Sequence, residues 1–87
     1  MWSVNVPELR KWMGLDVQDF ANLFQVSHST VYRWETLRGA PPDKIYRMLL
    51  TIAEEMRLCS KSEEMAAIVR AHLLLNTREA LAMLLLQ

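Results

Sequence analysis

The chain has 87 residues, of which 52% are hydrophobic, with only two glycines, three prolines and a formal net charge of zero. This length supports one small domain around a single core and excludes two, and the composition excludes a disordered tail in favour of a helix-rich fold. Neutrality predicts at most modest sequence-blind affinity for nucleic acid.

Residues 1–6 form a short apolar lead-in, with Trp2 and Val4 free to pack on the body. Pro7 suits the first turn of a helix, where its missing N–H has no intrahelical partner, and Glu8 favours the positive end of the dipole. That helix is expected to run to about Met13, with Leu9, Trp12 and Met13 inward and Gly14 as its stop. From Asp16 to Glu35 the chain reads as two short helices joined by a tight turn. Val17, Phe20, Ala21, Leu23 and Phe24 make an apolar stripe on the first, and Val31 and Trp34 mark the inward side of the second. Ala21 is small enough to let the partner helix approach. Asp16 and Ser27 are placed to cap the two helices, and between them only Gln25 and Val26 are left for the turn. Two helices so joined are the ingredients of a helix-turn-helix, whose second helix can enter the major groove of DNA.

Thr36 to Pro42 contains Gly39, Pro41 and Pro42 and reads as a loop. A fourth helix begins at Pro42 or Asp43 and continues to about Leu58, with Ile45, Met48, Leu49, Ile52, Ala53 and Met56 at steps of three and four. Ser60 and Glu63 have the spacing of a capping box before a fifth helix reaching about Leu75, on which Met65, Ile68, Val69, His72 and Leu73 share a side. His72 on that stripe is expected in the core. Asn76 to Glu79 repeats the capping signal, so a sixth helix is expected from Arg78 to about Leu86. It is apolar almost all round and must be buried. So small a body cannot cover every side of it, and a second subunit is expected to cover the rest. Residues 1–58 thus form a core unit, and residues 59–87 a helical extension of the same domain that serves dimerisation.

The stretch from Val6 to Leu50, about half the chain, resembles the Xre/Cro-type helix-turn-helix family of repressor-like DNA-binding domains. The matching residues are Gly14-Leu15, Ala21, Leu23, Val26-Ser27, Ser29-Thr30-Val31 and Arg33-Trp34-Glu35. Two positions depart from the family pattern. Val17 stands where a phosphate-contacting Gln is frequent, and Gln25 where Gly is common because the turn needs a left-handed backbone, at a strain of about 1 kcal/mol. The resemblance implies an all-α, repressor-like domain of about four helices, here followed by two C-terminal helices. It implies a structural ion pair between Arg10 and Glu35. It places His28, Ser29 and Arg33 at base-contacting positions, where Arg33 can donate two hydrogen bonds to guanine. Tyr32, on the same outward side, can meet a thymine methyl or a phosphate. Ser27, Thr30, Arg38, Lys44 and Arg47 are expected at the DNA backbone, and Gln18 there in place of Val17. From His28 to Arg47 four basic residues face two acidic ones, Glu35 and Asp43, a local basic surface on a neutral body.

The function this implies is a sequence-specific transcriptional regulator, a repressor that binds a palindromic operator on double-stranded DNA as a homodimer. The competing function is a protein–protein module, or an antitoxin-type regulator that binds a partner protein through the C-terminal helices. No enzyme is expected, because the two histidines and Cys59 share no nucleophile–base spacing and no glycine-rich phosphate loop is present. The adjacent pairs Glu54-Glu55 and Glu63-Glu64 read as solvated faces. Lone Cys59 allows no internal disulfide, and no metal or cofactor is expected. Without a leader pattern or an apolar run near 18 residues, the protein is expected to be cytoplasmic and not membrane-bound.

Overall fold

Residues 4–59 and 62–85 are described by a computed structural model. Five helices and no strand occur among them: α1 (Val6–Trp12), α2 (Val17–Phe24), α3 (His28–Glu35), α4 (Asp43–Leu58) and α5 (Glu63–Leu85). The fold is therefore all-α. The expected contacts of Trp2, the cap at Ser60 and the side chains of Leu84, Leu85 and Leu86 lie outside the described residues.

Each short helix is set by local chemistry. Asn5 caps α1, its side-chain oxygen accepting from the Glu8 N–H at 3.1 Å, and Pro7 sits in the first turn. This cap starts the helix one residue before Pro7. Gly14, at φ +75°, then reverses the chain in a backbone conformation that costs a glycine little. Asp16 caps α2 by accepting from the Asp19 N–H at 2.7 Å.

The core is built on α2, whose Phe20, Ala21, Leu23 and Phe24 are all buried. Around them lie Val6, Leu9 and Met13 of the α1 segment, Val31 and Trp34 of α3, and Leu49 and Ile52 of α4. Phe20 and Phe24 tilt against each other at 4.8 Å between ring centroids, and Phe24 meets the Trp34 ring edge-on at 6.3 Å. Each such large buried side chain contributes about 1.5–3 kcal/mol relative to exposure, so α3 is anchored by its inward side.

The C-terminal third differs from expectation in three ways. First, the fifth and sixth helices are one, a 23-residue α5 that runs without interruption through Asn76 and Thr77. Neither residue breaks a helix when Leu, Ala, Met, Arg and Glu surround it, and buried Thr77 packs inward instead of capping. Second, α5 begins at Glu63, with the Ser62 hydroxyl accepting from the Met65 N–H at 3.2 Å. Third, the inward side is Ala66, Leu73, Thr77 and Leu81, while Met65, Ile68 and His72 face out. His72 is thus an exposed residue and not a core one. Leu73 and Leu81 join the same core as α2, so the extension packs into the body. Arg70 pins α5 to α1, its guanidinium 5.3 Å from the Trp12 ring centroid and donating to the Trp12 carbonyl at 3.2 Å. The same guanidinium pairs with Glu63.

Candidate nucleic-acid interface

The joint between α2 and α3 is closed by the backbone itself. The Val26 N–H donates to the Ala21 carbonyl at 3.0 Å and the Gln25 N–H to Asn22 at 3.3 Å. This pattern requires the left-handed conformation that Gln25 adopts, at φ 56° and ψ 45°. Ser27 then caps α3, its hydroxyl accepting from the Thr30 N–H at 3.1 Å and lying 2.9 Å from the Thr30 hydroxyl. The turn is therefore two residues long, and the direction of α3 relative to α2 is fixed by hydrogen bonds.

With Val31 and Trp34 inward, the opposite side of α3 carries His28, Ser29, Tyr32 and Arg33, all exposed. Tyr32 is 59% exposed, a large aromatic left in water at the centre of this surface. Arg33 does not project freely. Its guanidinium packs beside Gly39, where a Cβ would stand 3.4 Å from Nη2. The loop reaches this position because the Arg38 N–H donates back to the Arg33 carbonyl at 2.9 Å and Leu37 turns at φ 60°. Together with Val26, Thr30, Trp34, Ala40 and Pro42, Arg33 and Gly39 line a cleft of about 220 Å³. No signal in the sequence pairs Arg33 with Gly39; the loop conformation does.

The remaining expected backbone contacts divide by what they already hold. Arg38, Lys44 and Arg47 are exposed. Gln18 is exposed too, but its amide donates to the Asn22 side chain at 3.0 Å along α2. The Ser27 and Thr30 hydroxyls are engaged with each other at the cap. Below this surface Arg10 and Glu35 approach at 3.3 Å, with side chains only 13% and 12% exposed, and a second Arg10 nitrogen donates to the Leu15 carbonyl at 2.9 Å. The pair ties the end of α3 to α1 and to the segment entering α2. It is incompletely satisfied, since Arg10 Nε and Glu35 Oε2 are buried without a hydrogen-bond partner.

Among the described residues no group of three or more His, Cys, Asp or Glu side chains could hold a metal ion, and no helix is long and apolar enough to cross a membrane. No family model matches the chain, and neither a curated protein nor a solved structure shows significant similarity to it.

Proposed function

We propose that this chain is a sequence-specific DNA-binding transcriptional regulator of the repressor-like helix-turn-helix type, acting as a homodimer on a palindromic operator. The observation that carries this is the split of α3 into an anchored side and an exposed polar side. Val31 and Trp34 hold the helix in the core, while His28, Ser29 and Tyr32 stand in solvent and Arg33 is exposed with its guanidinium beside Gly39. Such a helix can enter a major groove without unfolding anything, and its first turn presents the positive end of its dipole to phosphates. In this reading His28, Ser29 and Arg33 contact bases and Tyr32 a thymine methyl or a phosphate. Arg38, Lys44 and Arg47 neutralise the backbone, with Ser27, Thr30 and Gln18 at its edge. One recognition helix covers only a few base pairs, so a two-fold dimer with half-sites about 34 Å apart supplies the specificity. The protein binds and does not catalyse.

The test is fluorescence anisotropy against DNA from the protein's own promoter region across a salt series. Arg33→Ala should weaken specific binding by about 1–3 kcal/mol if it reads a guanine. Binding equal to that of scrambled DNA would refute the reading. A second reading, a module for a protein partner, draws on Met65, Ile68, Leu75 and Met83, which are exposed on α5; it predicts a partner that binds equally well after Arg33→Ala.

A further inference from the structure

The outward side of α5 carries Met65, Ile68, His72, Leu75, Glu79 and Ala82, all exposed. They succeed one another at steps of three and four, the 3.5-residue repeat of a coiled-coil seam. Met65, Ile68 and Leu75 are 53%, 58% and 55% exposed, while the opposite side of the helix is already in the core. The described residues therefore leave the seam uncovered.

What identifies the occupant is the charge along one edge of the seam. Glu64, Ala71 and Arg78 follow it at intervals of seven, and all three are exposed. Neither Glu64 nor Arg78 takes part in an ion pair among the described residues. In a parallel helix pair this edge would meet the other edge, Val69, Asn76 and Met83, which carries no charge. In an antiparallel pair each edge meets its own copy. Acid then meets base at both ends, and the small Ala71 meets itself at the two-fold axis. The edge is complementary to itself, and only in that direction.

We propose that a second copy of this chain docks here, its α5 antiparallel and centred on Ala71. The register places Met65 against Leu75 of the partner subunit, Ile68 against the partner's His72, and Glu64 beside the partner's Arg78. The inference rests on the dimer reading above and adds its direction, register and pairing. An isologous contact of this kind closes at two copies and does not propagate into fibres.

Sedimentation equilibrium of the full chain without DNA tests it. The wild type should dimerise. Glu64→Arg or Arg78→Glu, each turning two attractions into repulsions, should weaken the dimer about tenfold or more, and the two together should restore it. Ile68→Glu should give a monomer of unchanged helicity by circular dichroism, since Ile68 is not in the core. Spin labels introduced as Glu64→Cys or Ala71→Cys, in a Cys59→Ala background, report direction. Residues 64 and 78 are 14 positions apart, about 21 Å along the helix. The labels at 64 should therefore be offset along the axis by about that length while those at 71 face each other, so the 64 pair is the farther apart. A monomer at about 100 µM, a combined variant no better than the single ones, or labels at 64 as close as those at 71 would each overturn the proposal. The outcome is separable from DNA binding, because the Ile68→Glu monomer can still be assayed for Arg33-dependent affinity to a half-site.

Discussion

Removing the Glu35 carboxylate should destabilise the protein well beyond the value of a surface ion pair. In wild type, Arg10 spans α1, α3 and the segment entering α2 through Glu35 at 3.3 Å and the Leu15 carbonyl at 2.9 Å. Glu35→Ala leaves that guanidinium nearly out of water with one partner instead of two. Deleting one member of a fully buried pair costs about 3–5 kcal/mol. The side chains here retain 13% and 12% exposure, and Arg10 keeps its carbonyl acceptor, so about 2 kcal/mol is expected after discounting for solvent. For a domain of this size that corresponds to a fall in Tm of roughly 8–16 °C. Arg10→Met with Glu35→Leu should lie within about 1 kcal/mol of wild type, because replacing both charges by apolar groups strands neither. Urea denaturation followed by circular dichroism, run as a double-mutant cycle, measures both values. A loss under about 0.5 kcal/mol for Glu35→Ala with no coupling to Arg10 would refute the reasoning, and would mean that water reaches the pair.

Three further outcomes follow from backbone and surface geometry. Gln25→Gly should raise stability by about 0.5 kcal/mol, the relief at φ 56° slightly exceeding glycine's entropy cost, whereas Gln25→Val should lower it by about 1–2 kcal/mol in the same denaturation assay. Gly39→Ala should be accommodated, since the new methyl meets Arg33 at an ordinary 3.4 Å, and should add about 0.4–1 kcal/mol by restricting the unfolded chain. Glu54 accepts hydrogen bonds from Arg57 at 2.6 and 3.2 Å, and these bonds, with the adjacent positive charge, hold its carboxyl below its ordinary value. A carboxylate depressed in the folded state stabilises it fully above the unfolded value, about 4.3, and loses that contribution as pH falls through the folded one. Glu54→Gln should therefore flatten the stability profile below about pH 4.3 and change its slope little at pH 7, as acid titration of the urea midpoint would show.

The amino-acid order by itself determined the first four helices, because their signals are local. Asp16 and Ser27 accept from backbone N–H groups three residues on, and the stripes through Phe20, Phe24, Leu49 and Ile52 can turn only one way in water. Asn5, whose cap was legible in the same terms, was masked by the stronger proline signal at position 7. The approach of Arg10 to Glu35 was foreseeable only by resemblance, since nothing in the spacing of residues 25 apart brings them together. Tertiary structure decided the rest. Asn76 and Thr77 carry a capping pattern, yet a cap forms only where the chain gains by turning, and the continuous surface presented by α2 and α4 makes it favourable to stay helical. The facing of α5 was equally undetermined, because its apolar residues fall on more than one side, Met65 and Ile68 as well as Ala66 and Leu73, and only packing chooses between them. Those contacts took Ala66, Leu73, Thr77 and Leu81 inward and left Met65, Ile68 and His72 in water. Arg70 on Trp12, 58 residues away, and Arg33 beside Gly39 belong to the same class. Each joins groups whose nearness is a property of the folded chain and of no segment within it.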